Sequence, residues 1–123
     1  MTIETAIGRV DELKANTCPE REKILWLSEL ELMIRHEVLD THEDSPAPEF
    51  AGYSEDTELT TELLLPAPYD RLYLRWLEAQ IDYANGEYGR YNNSIQMFNA
   101  EYLAFQSWWN RTHKPVSAGR FLF

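Results

Sequence analysis

Apolar residues recur at helical spacing along the chain and predict an all-α fold of about four helices in a small bundle. The first helix is expected over residues 2–14, because its apolar residues fall three or four positions apart. The second is expected over residues 19–39, where apolar side chains occupy more of the circumference than one stripe requires. That helix is therefore either central to the core, which we favour, or it offers a second side to a partner.

The third and fourth helices fall in the second half of the chain. The third is expected over residues 68–86 and ends on an Asn-Gly pair. The fourth is expected to begin at Glu87 or Arg90 and to end at Thr112, ahead of Pro115. Its ring and aliphatic residues recur at alternating steps of four and three and form one seam: Tyr91, Ile95, Phe98, Tyr102, Phe105 and Trp109.

The seam of the fourth helix has two interpretations. A small bundle has to bury its rings, so the seam is either core packing, which we favour, or a contact between subunits. Trp108 and Trp109 are neighbours in the chain and point about 100° apart on a helix. One of these two indole rings is therefore expected to pack inside while the other faces outward, where it is a candidate interaction residue.

A long acidic loop is expected between the second and third helices, over residues 40–67. Its first part combines acids, prolines and a glycine without helical periodicity. Residues 57–65 alternate weakly, as in a short strand or an extended arm. Phe50 and Tyr53 are candidate anchors of this loop, either to the body of the domain or to a neighbour. The leucines before Pro66 are further candidate interaction residues: Leu63, Leu64 and Leu65.

We treat residues 1–123 as a single helical domain with a C-terminal arm over residues 113–123. The arm ends in apolar residues, which are expected to dock on the same chain or on another. Its candidate interaction residues are Arg120, Phe121, Leu122 and Phe123.

The acidity of the chain belongs to its first half. Residues 1–62 hold 16 acidic and 5 basic residues, which gives −11, whereas residues 63–123 hold 5 acidic and 6 basic residues, which gives +1 and a total of −10. Between Arg35 and Arg71 there is no Lys or Arg. An acidic surface of this kind repels phosphate backbones, so specific nucleic-acid binding is not expected.

The sequence contains no recognisable motif for catalysis or for cofactor binding. Cys18 is the only cysteine and has no activating histidine near it in the sequence, so neither an internal disulfide nor a nucleophile is expected. The histidines and acids of residues 36–43 match no metal-binding spacing. The carboxylates of the second half lie among arginines at helix spacing, which favours ion pairs over acid and base catalysis. We therefore expect no enzyme activity, no metal and no cofactor.

The hydrophobic pattern also bears on the compartment. No apolar run approaches the roughly 20 residues that a membrane helix needs. The first residues of the chain lack the basic start and the apolar core of a signal peptide. A cytoplasmic protein without a membrane partner is therefore expected.

Residues 63–115 resemble small proteins encoded in the structural gene block of tailed phages and prophages of low-GC Gram-positive bacteria. The resemblance covers about half of the chain. Its most particular pieces are PAPYDRLY at residues 66–73, IDYANGEYGRYNNS at residues 81–94 and WWNRTHKP at residues 108–115. In size and helical order these proteins are similar to head-tail connector, or head completion, proteins, which bind below the portal as a ring.

The resemblance implies a non-enzymatic structural subunit whose partners are copies of itself, the portal and tail-side neck proteins. Such a subunit resides in the host bacterial cytoplasm during assembly and in the virion neck afterwards. The main alternative is a free-standing helical interaction module, such as a phage assembly factor or a regulator, that is absent from the finished particle. The connector assignment rests on helix count and gene-block analogy, so presence in or absence from finished particles distinguishes the two.

Overall fold

Four α-helices form the architecture of the protein in a computed structural model that describes residues 1–41 and 50–113. Helix α1 is Ile3–Leu13, α2 is Glu20–Glu37, α3 is Arg71–Ala84 and α4 is Tyr88–Thr112. A short 3-10 turn, Leu39–Thr41, follows α2. The predicted all-α fold is confirmed, and each predicted helix corresponds to one observed helix.

The helix ends follow from local chemistry. The side chain of Thr2 accepts a hydrogen bond of 3.2 Å from the backbone N–H of Thr5 and so caps α1. Gly86 has a φ of +73°, a left-handed conformation that lets the chain leave α3. The third helix begins later than predicted, because residues 66–70 form hydrogen-bonded turns ahead of Arg71.

Helix α3 is the central element of the bundle. It packs against α1, α2 and α4, whereas α4 packs along its length on α3. The structure therefore corrects the expectation that the second helix is central. Helix α2 keeps a second apolar side, on which Leu25 is 44% and Leu32 39% exposed.

The segment before α3 is an extended arm. The backbone N–H groups of Ile3 and Glu4 donate hydrogen bonds of 3.0 and 2.9 Å to the carbonyl oxygens of Thr61 and Leu59. The arm thereby satisfies N–H groups in the first turn of α1 that no carbonyl of that helix can reach. The β pairing of the two segments is limited to one isolated bridge, between Thr2 and Glu62, and no strand forms in the described part of the chain.

Candidate interaction surface

Helix α4 has an inner face that belongs to the core. The ring of Phe98 lies 5.1 Å from the ring of Trp76 on α3, centroid to centroid. Tyr91 and Ile95, at the start of the predicted seam, stay partly exposed. For the rest of the seam, core packing is confirmed, since these aromatic side chains are buried: Phe98, Tyr102, Phe105 and Trp109.

The opposite side of α4, which we call its outer face, is exposed and carries no charge from Asn93 to Ser107, while the exposed Arg111 follows one turn beyond Ser107. Leu103 on this face exposes 63% of its surface and Met97 exposes 49%. The members of the outer face lie within about one third of the helix circumference at about 100° per residue. They are Asn93, Gln96, Met97, Ala100, Leu103, Ala104 and Ser107.

Charge is nearly absent from α4 as a whole. Between residues 91 and 110, Glu101 is the only charged residue, in a chain with a net charge of −10. Oε1 of Glu101 lies 3.3 Å from a guanidinium nitrogen of Arg71 and 3.5 Å from one of Arg75, both on α3. The outer face is therefore neutral from Asn93 to Ser107, with Glu101 beside it and Arg111 beyond its end. Since the cores of protein interfaces are depleted of charged residues, this composition is typical of a contact surface.

A small cavity adjoins the edge of the outer face. Its volume is about 80 Å³, and Glu101 is one of its lining residues. Oε2 of Glu101 is buried and has no hydrogen-bond partner in the described residues. This size suits a single side chain. The lining residues are Pro68, Tyr69, Arg71, Leu72, Glu101 and Ala104.

Three tyrosines form an aromatic cluster at the turn between α3 and α4. The ring of Tyr83 lies 5.4 Å from that of Tyr88 and 5.3 Å from that of Tyr91, with edge-to-face geometry in both pairs. Tyr83 is 57% and Tyr88 59% exposed. Exposed tyrosines supply large contact area together with a hydrogen-bonding hydroxyl, which is why they are enriched at protein interfaces.

A buried carboxylate, Glu31 of α2, joins three segments of the chain. The hydroxyl of Tyr73 donates to its Oε1 at 2.5 Å, while the hydroxyl of Tyr53 and the backbone N–H of Leu64 donate to its Oε2 at 2.7 and 3.0 Å. Burial raises the pKa of Glu31, and these hydrogen bonds together with the charge of Arg35 offset that rise only in part. Glu31 has no solvent-exposed surface, so its role in this arrangement is structural.

Burial also sets the protonation of the two tyrosines that contact Glu31. It raises the pKa of Tyr53 and of Tyr73, and the adjacent charge of Glu31 raises both further. Both hydroxyls therefore stay protonated near neutral pH and act as donors.

A second buried carboxylate, Asp82 of α3, joins α1, α3 and α4. Nζ of Lys14 lies 2.7 and 2.9 Å from its two oxygens, and the hydroxyl of Ser94 donates to it at 2.7 Å. Asp82 has no exposed surface, whereas Lys14 is partly exposed. The ion pair closes the bundle at the end where α3 turns into α4.

The predicted ion pairs of the second half are present. Nη1 of Arg75 lies 3.2 Å from Oε1 of Glu78, one turn further along α3. Arg90 and Glu87 form a similar pair at 3.3 Å on the surface. Glu78 and Glu87 therefore form ion pairs between neighbouring turns, as their spacing predicts, whereas Asp82 is buried and pairs with the distant Lys14 instead.

Metal-ligand clusters and membrane-spanning helices are both absent from the described residues. No group of three or more His, Cys, Asp or Glu side chains there is arranged to hold a metal ion. His36 and Glu37 lie exposed at the end of α2, while His42 and Glu43 fall outside the described ranges. Glu37 accepts a hydrogen bond of 2.7 Å from the hydroxyl of Tyr102. None of the four α-helices combines the length and hydrophobicity needed to cross a bilayer.

The two predicted loop anchors contact the body of the same chain. Phe50 packs edge-to-face on Tyr53 at 5.0 Å, and its ring lies 5.6 Å from the guanidinium carbon of Arg35. The backbone N–H of Tyr53 donates to the hydroxyl of Ser28 on α2 at 2.8 Å. Of the two alternatives for this loop, the structure therefore shows attachment to the body.

The three predicted leucines lie mostly inside the domain. Leu63 and Leu65 are buried in the core, which corrects the expectation that they present a surface to a partner. Leu64 is partly buried and packs against the core. The weak alternation of this segment is explained by the arm, which turns successive side chains to opposite sides.

The predicted indole pair lies at the end of α4. Trp109 is buried and stacks on His113 at 3.5 Å, which confirms that one of the two rings packs inside. Trp108 is partly exposed and stacks on Tyr69 at 4.7 Å, so its ring is shared between solvent and the start of α3. The predicted residues of the arm, Arg120, Phe121, Leu122 and Phe123, fall outside the described residues.

Residue-by-residue reasoning missed the outer face of α4. The aromatic residues dominate the sequence pattern of this helix and point inward, whereas Met97 and Leu103 are isolated aliphatic residues on the other side. The signal that would have found this face is the low charge of residues 91–110, read at helical period on the side opposite the aromatic seam.

Comparison with known proteins adds no relative. No protein-family model, no curated protein and no solved structure matches the chain.

Proposed function

We propose that the protein is a non-enzymatic structural subunit of a tailed phage or prophage, namely a head-tail connector subunit that assembles next to the portal. The observation that carries this proposal is that two features fall in the same stretch of the chain. The stretch that resembles phage structural proteins, residues 63–115, is also the stretch whose helices present the neutral outer face and the tyrosine cluster.

The resembling pieces divide into residues that hold the fold and residues free to make contacts. Within residues 81–94, Asp82 and Ser94 are buried and hydrogen-bonded to each other. Tyr83 and Tyr88, in the same piece, are exposed. A short sequence that both closes a helical hairpin and displays tyrosines suits a subunit held between several protein partners.

The distribution of charge is consistent with a position near packaged DNA. The first half of the chain carries a net −11, and among the described residues it forms α1, α2 and part of the acidic loop. A negative surface repels the DNA backbone, so DNA can pass a connector without adhering to it. The second half, at +1, leaves α3 and α4 free for protein contacts without strong charge repulsion.

Quantitative mass spectrometry of purified phage particles tests this proposal. The phage is induced from its host, banded by density, and this chain is counted against the portal and major capsid proteins of the same particles. A copy number similar to that of the portal is expected. Absence from intact, tailed particles would overturn the connector assignment in favour of an assembly factor or regulator.

A paired variant sharpens the same experiment. The change Tyr83→Ser/Tyr88→Ser removes exposed rings from the predicted contact region, and Leu13→Ser on α1 is the control at an equally exposed apolar residue. Particles made with the double variant should lose this chain or their tails, while the control should be incorporated normally. Equal incorporation of both would remove the tyrosine cluster from the contact.

A further inference from the structure

We propose that the outer face of α4 binds the outer face of a second copy of this chain, in an antiparallel and symmetric helix pair. This inference uses the same outer face as the proposed function, but the two are tested separately. A dimer in dilute solution does not require residence in a virion, and residence in a virion does not require this dimer.

The first argument is that the outer face is complementary to itself. A symmetric interface brings the same surface of both copies together, so a charged face would meet its own charge. The amides of Asn93 and Gln96 carry both hydrogen-bond donors and an acceptor, so they can bond to hydroxyl or backbone groups of a partner without requiring an opposite charge. Leu103 and Met97 supply exposed apolar area beside them.

The second argument is the order of residues along the face. In an antiparallel pair with its two-fold axis at Ala100, positions that are equally far before and after Ala100 meet. Leu103 then lies opposite Met97 of the partner subunit, so an exposed aliphatic side chain meets another. Ala100 lies opposite its own copy, and Gln96 lies opposite Ala104 of the partner subunit. Small residues at these positions let two helix axes approach closely.

The third argument is the charge of the remaining surface. Two copies that each carry −10 repel one another, and the acidity is concentrated in residues 1–62. Contact through α4 joins the neutral halves and keeps the acidic halves away from the two-fold axis. The other exposed apolar face, around Leu25 and Leu32 on α2, belongs to the acidic half and includes the exposed Glu29 between them.

Sedimentation velocity over a range of concentration tests this proposal. One helix face is smaller than the roughly 800 Å² per partner of a standard interface, so a concentration-dependent dimer is expected. The mass should rise from that of a 14.5 kDa monomer toward twice that value between about 1 μM and about 200 μM. A monomer over the whole range would overturn the proposal.

A matched pair of variants locates the interface. Leu103→Glu places two like charges in the contact and should raise the dissociation constant at least tenfold. Leu13→Glu introduces the same charge at a leucine of nearly equal exposure, 62% against 63%, on α1, and should leave the dissociation constant within about twofold of the wild type. Equal effects of the two changes, or no effect of Leu103→Glu, would overturn the proposed face. Circular dichroism verifies that both variants keep their helices.

Cross-linking then tests the symmetry. In a Cys18→Ser background, Ala100→Cys places one thiol at the proposed two-fold axis, so mild oxidation should give a covalent dimer in high yield. Leu13→Cys in the same background is the control and should remain largely monomeric. A dimer that sediments normally but forms no disulfide through residue 100 would overturn the symmetric antiparallel geometry.

Discussion

The hydroxyl of Tyr73 on α3 donates a hydrogen bond of 2.5 Å to the carboxylate of Glu31 on α2, in a part of the bundle that solvent does not reach. The same hydroxyl accepts a hydrogen bond of 3.0 Å from the backbone N–H of Leu65. Through Tyr53 and Leu64, Glu31 also holds the acidic loop and the arm. One buried carboxylate thus sets the relative position of two helices and of the long segment that connects them.

Removal of this contact is predicted to destabilise the protein strongly. Tyr73→Phe deletes one hydrogen bond and leaves an oxygen of Glu31 and the N–H of Leu65 unpaired, at a cost of about 1–3 kcal/mol in the free energy of unfolding. Glu31→Gln disturbs three donors at once and should cost about 3 kcal/mol. The loss of unfolding free energy in the double variant should be smaller than the sum of the two single losses by at least about 0.5 kcal/mol, because both changes remove the same bond.

Urea unfolding of the three variants measures this coupling. Glu29→Gln, an exposed change on the same helix, is the control and should stay within about 0.5 kcal/mol of the wild type. Strict additivity of Glu31→Gln and Tyr73→Phe would contradict an energetic link between these side chains.

The stability of the protein is predicted to depend on the protonation of Glu31. Burial raises the pKa of Glu31 above its ordinary value of 4.5. The native state therefore binds this proton more tightly than the unfolded chain does, so the group contributes stability that is complete below pH 4.5 and is lost as the pH rises through the folded-state pKa. Glutamine does not ionise, so the Glu31→Gln variant lacks this pH-dependent contribution.

Paired unfolding curves of the wild type and Glu31→Gln, at pH values from 4.5 upward, check this expectation. The difference in unfolding free energy between the two proteins should shrink as the pH rises. Asp11 titrates lower, because its hydrogen bonds from Lys23 and Asn16 outweigh burial and lower its pKa. Asp11 is also present in both proteins and cancels in the difference. Parallel pH profiles would contradict the assignment to Glu31.

The ion pair between Lys14 and Asp82 is predicted to be needed for the stability of the fold, because Asp82 is buried. Lys14→Met leaves Asp82 with the hydroxyl of Ser94 as its remaining partner and should cost about 3–5 kcal/mol. The double change Lys14→Met/Asp82→Leu removes both charges and should recover a large part of that loss. Thermal unfolding measures both.

A surface ion pair provides the control for this prediction. Arg90→Gln breaks the pair with Glu87, whose members are 70% and 43% exposed, and should change stability by less than about 1 kcal/mol. If Lys14→Met were as mild as Arg90→Gln, the buried charge of Asp82 would not be the source of the cost.

Replacement of two glycines by alanine is predicted to change the stability of the protein in opposite directions. Gly52 has a φ of +100°, and a Cβ there would lie 2.5 Å from Oγ of Ser28, so Gly52→Ala should cost about 1–3 kcal/mol. A Cβ at Gly8, inside α1, would meet nothing within 4 Å, so Gly8→Ala should stabilise the protein by about 0.5–1 kcal/mol. Shifts of the melting temperature in the same direction would contradict this account.

Most of the helical architecture could be predicted from the sequence, since it depends on neighbours in the chain. The stripe of α1, the Thr2 cap and the Asn-Gly end of α3 are local signals, and each was read correctly. The exception among the helix ends is the start of α3, where hydrogen-bonded turns over residues 66–70 delay the helix. Proline at the first turn permits a helix to begin but does not require it.

The position of each helix in the bundle could be predicted less well from the sequence. The apolar circumference of α2 suggested a central helix, yet Leu25 and Leu32 remain exposed and α3 occupies the centre. Hydrophobicity shows that a side chain favours burial, but the partner that buries it is chosen by contacts between distant segments.

The sequence by itself determined four helices, a fourth helix with few charged residues and an acidic first half, because spacing, capping and charge are properties of the chain read in order. Only the tertiary structure decided that Glu31 and Asp82 are buried and paired, that Leu63 and Leu65 belong to the core, and that Met97 and Leu103 remain on the surface. The partners of the two carboxylates include residues that lie tens of positions away in the chain, as Lys14 does from Asp82. A carboxylate is tolerated in the core only where the fold brings such donors to it.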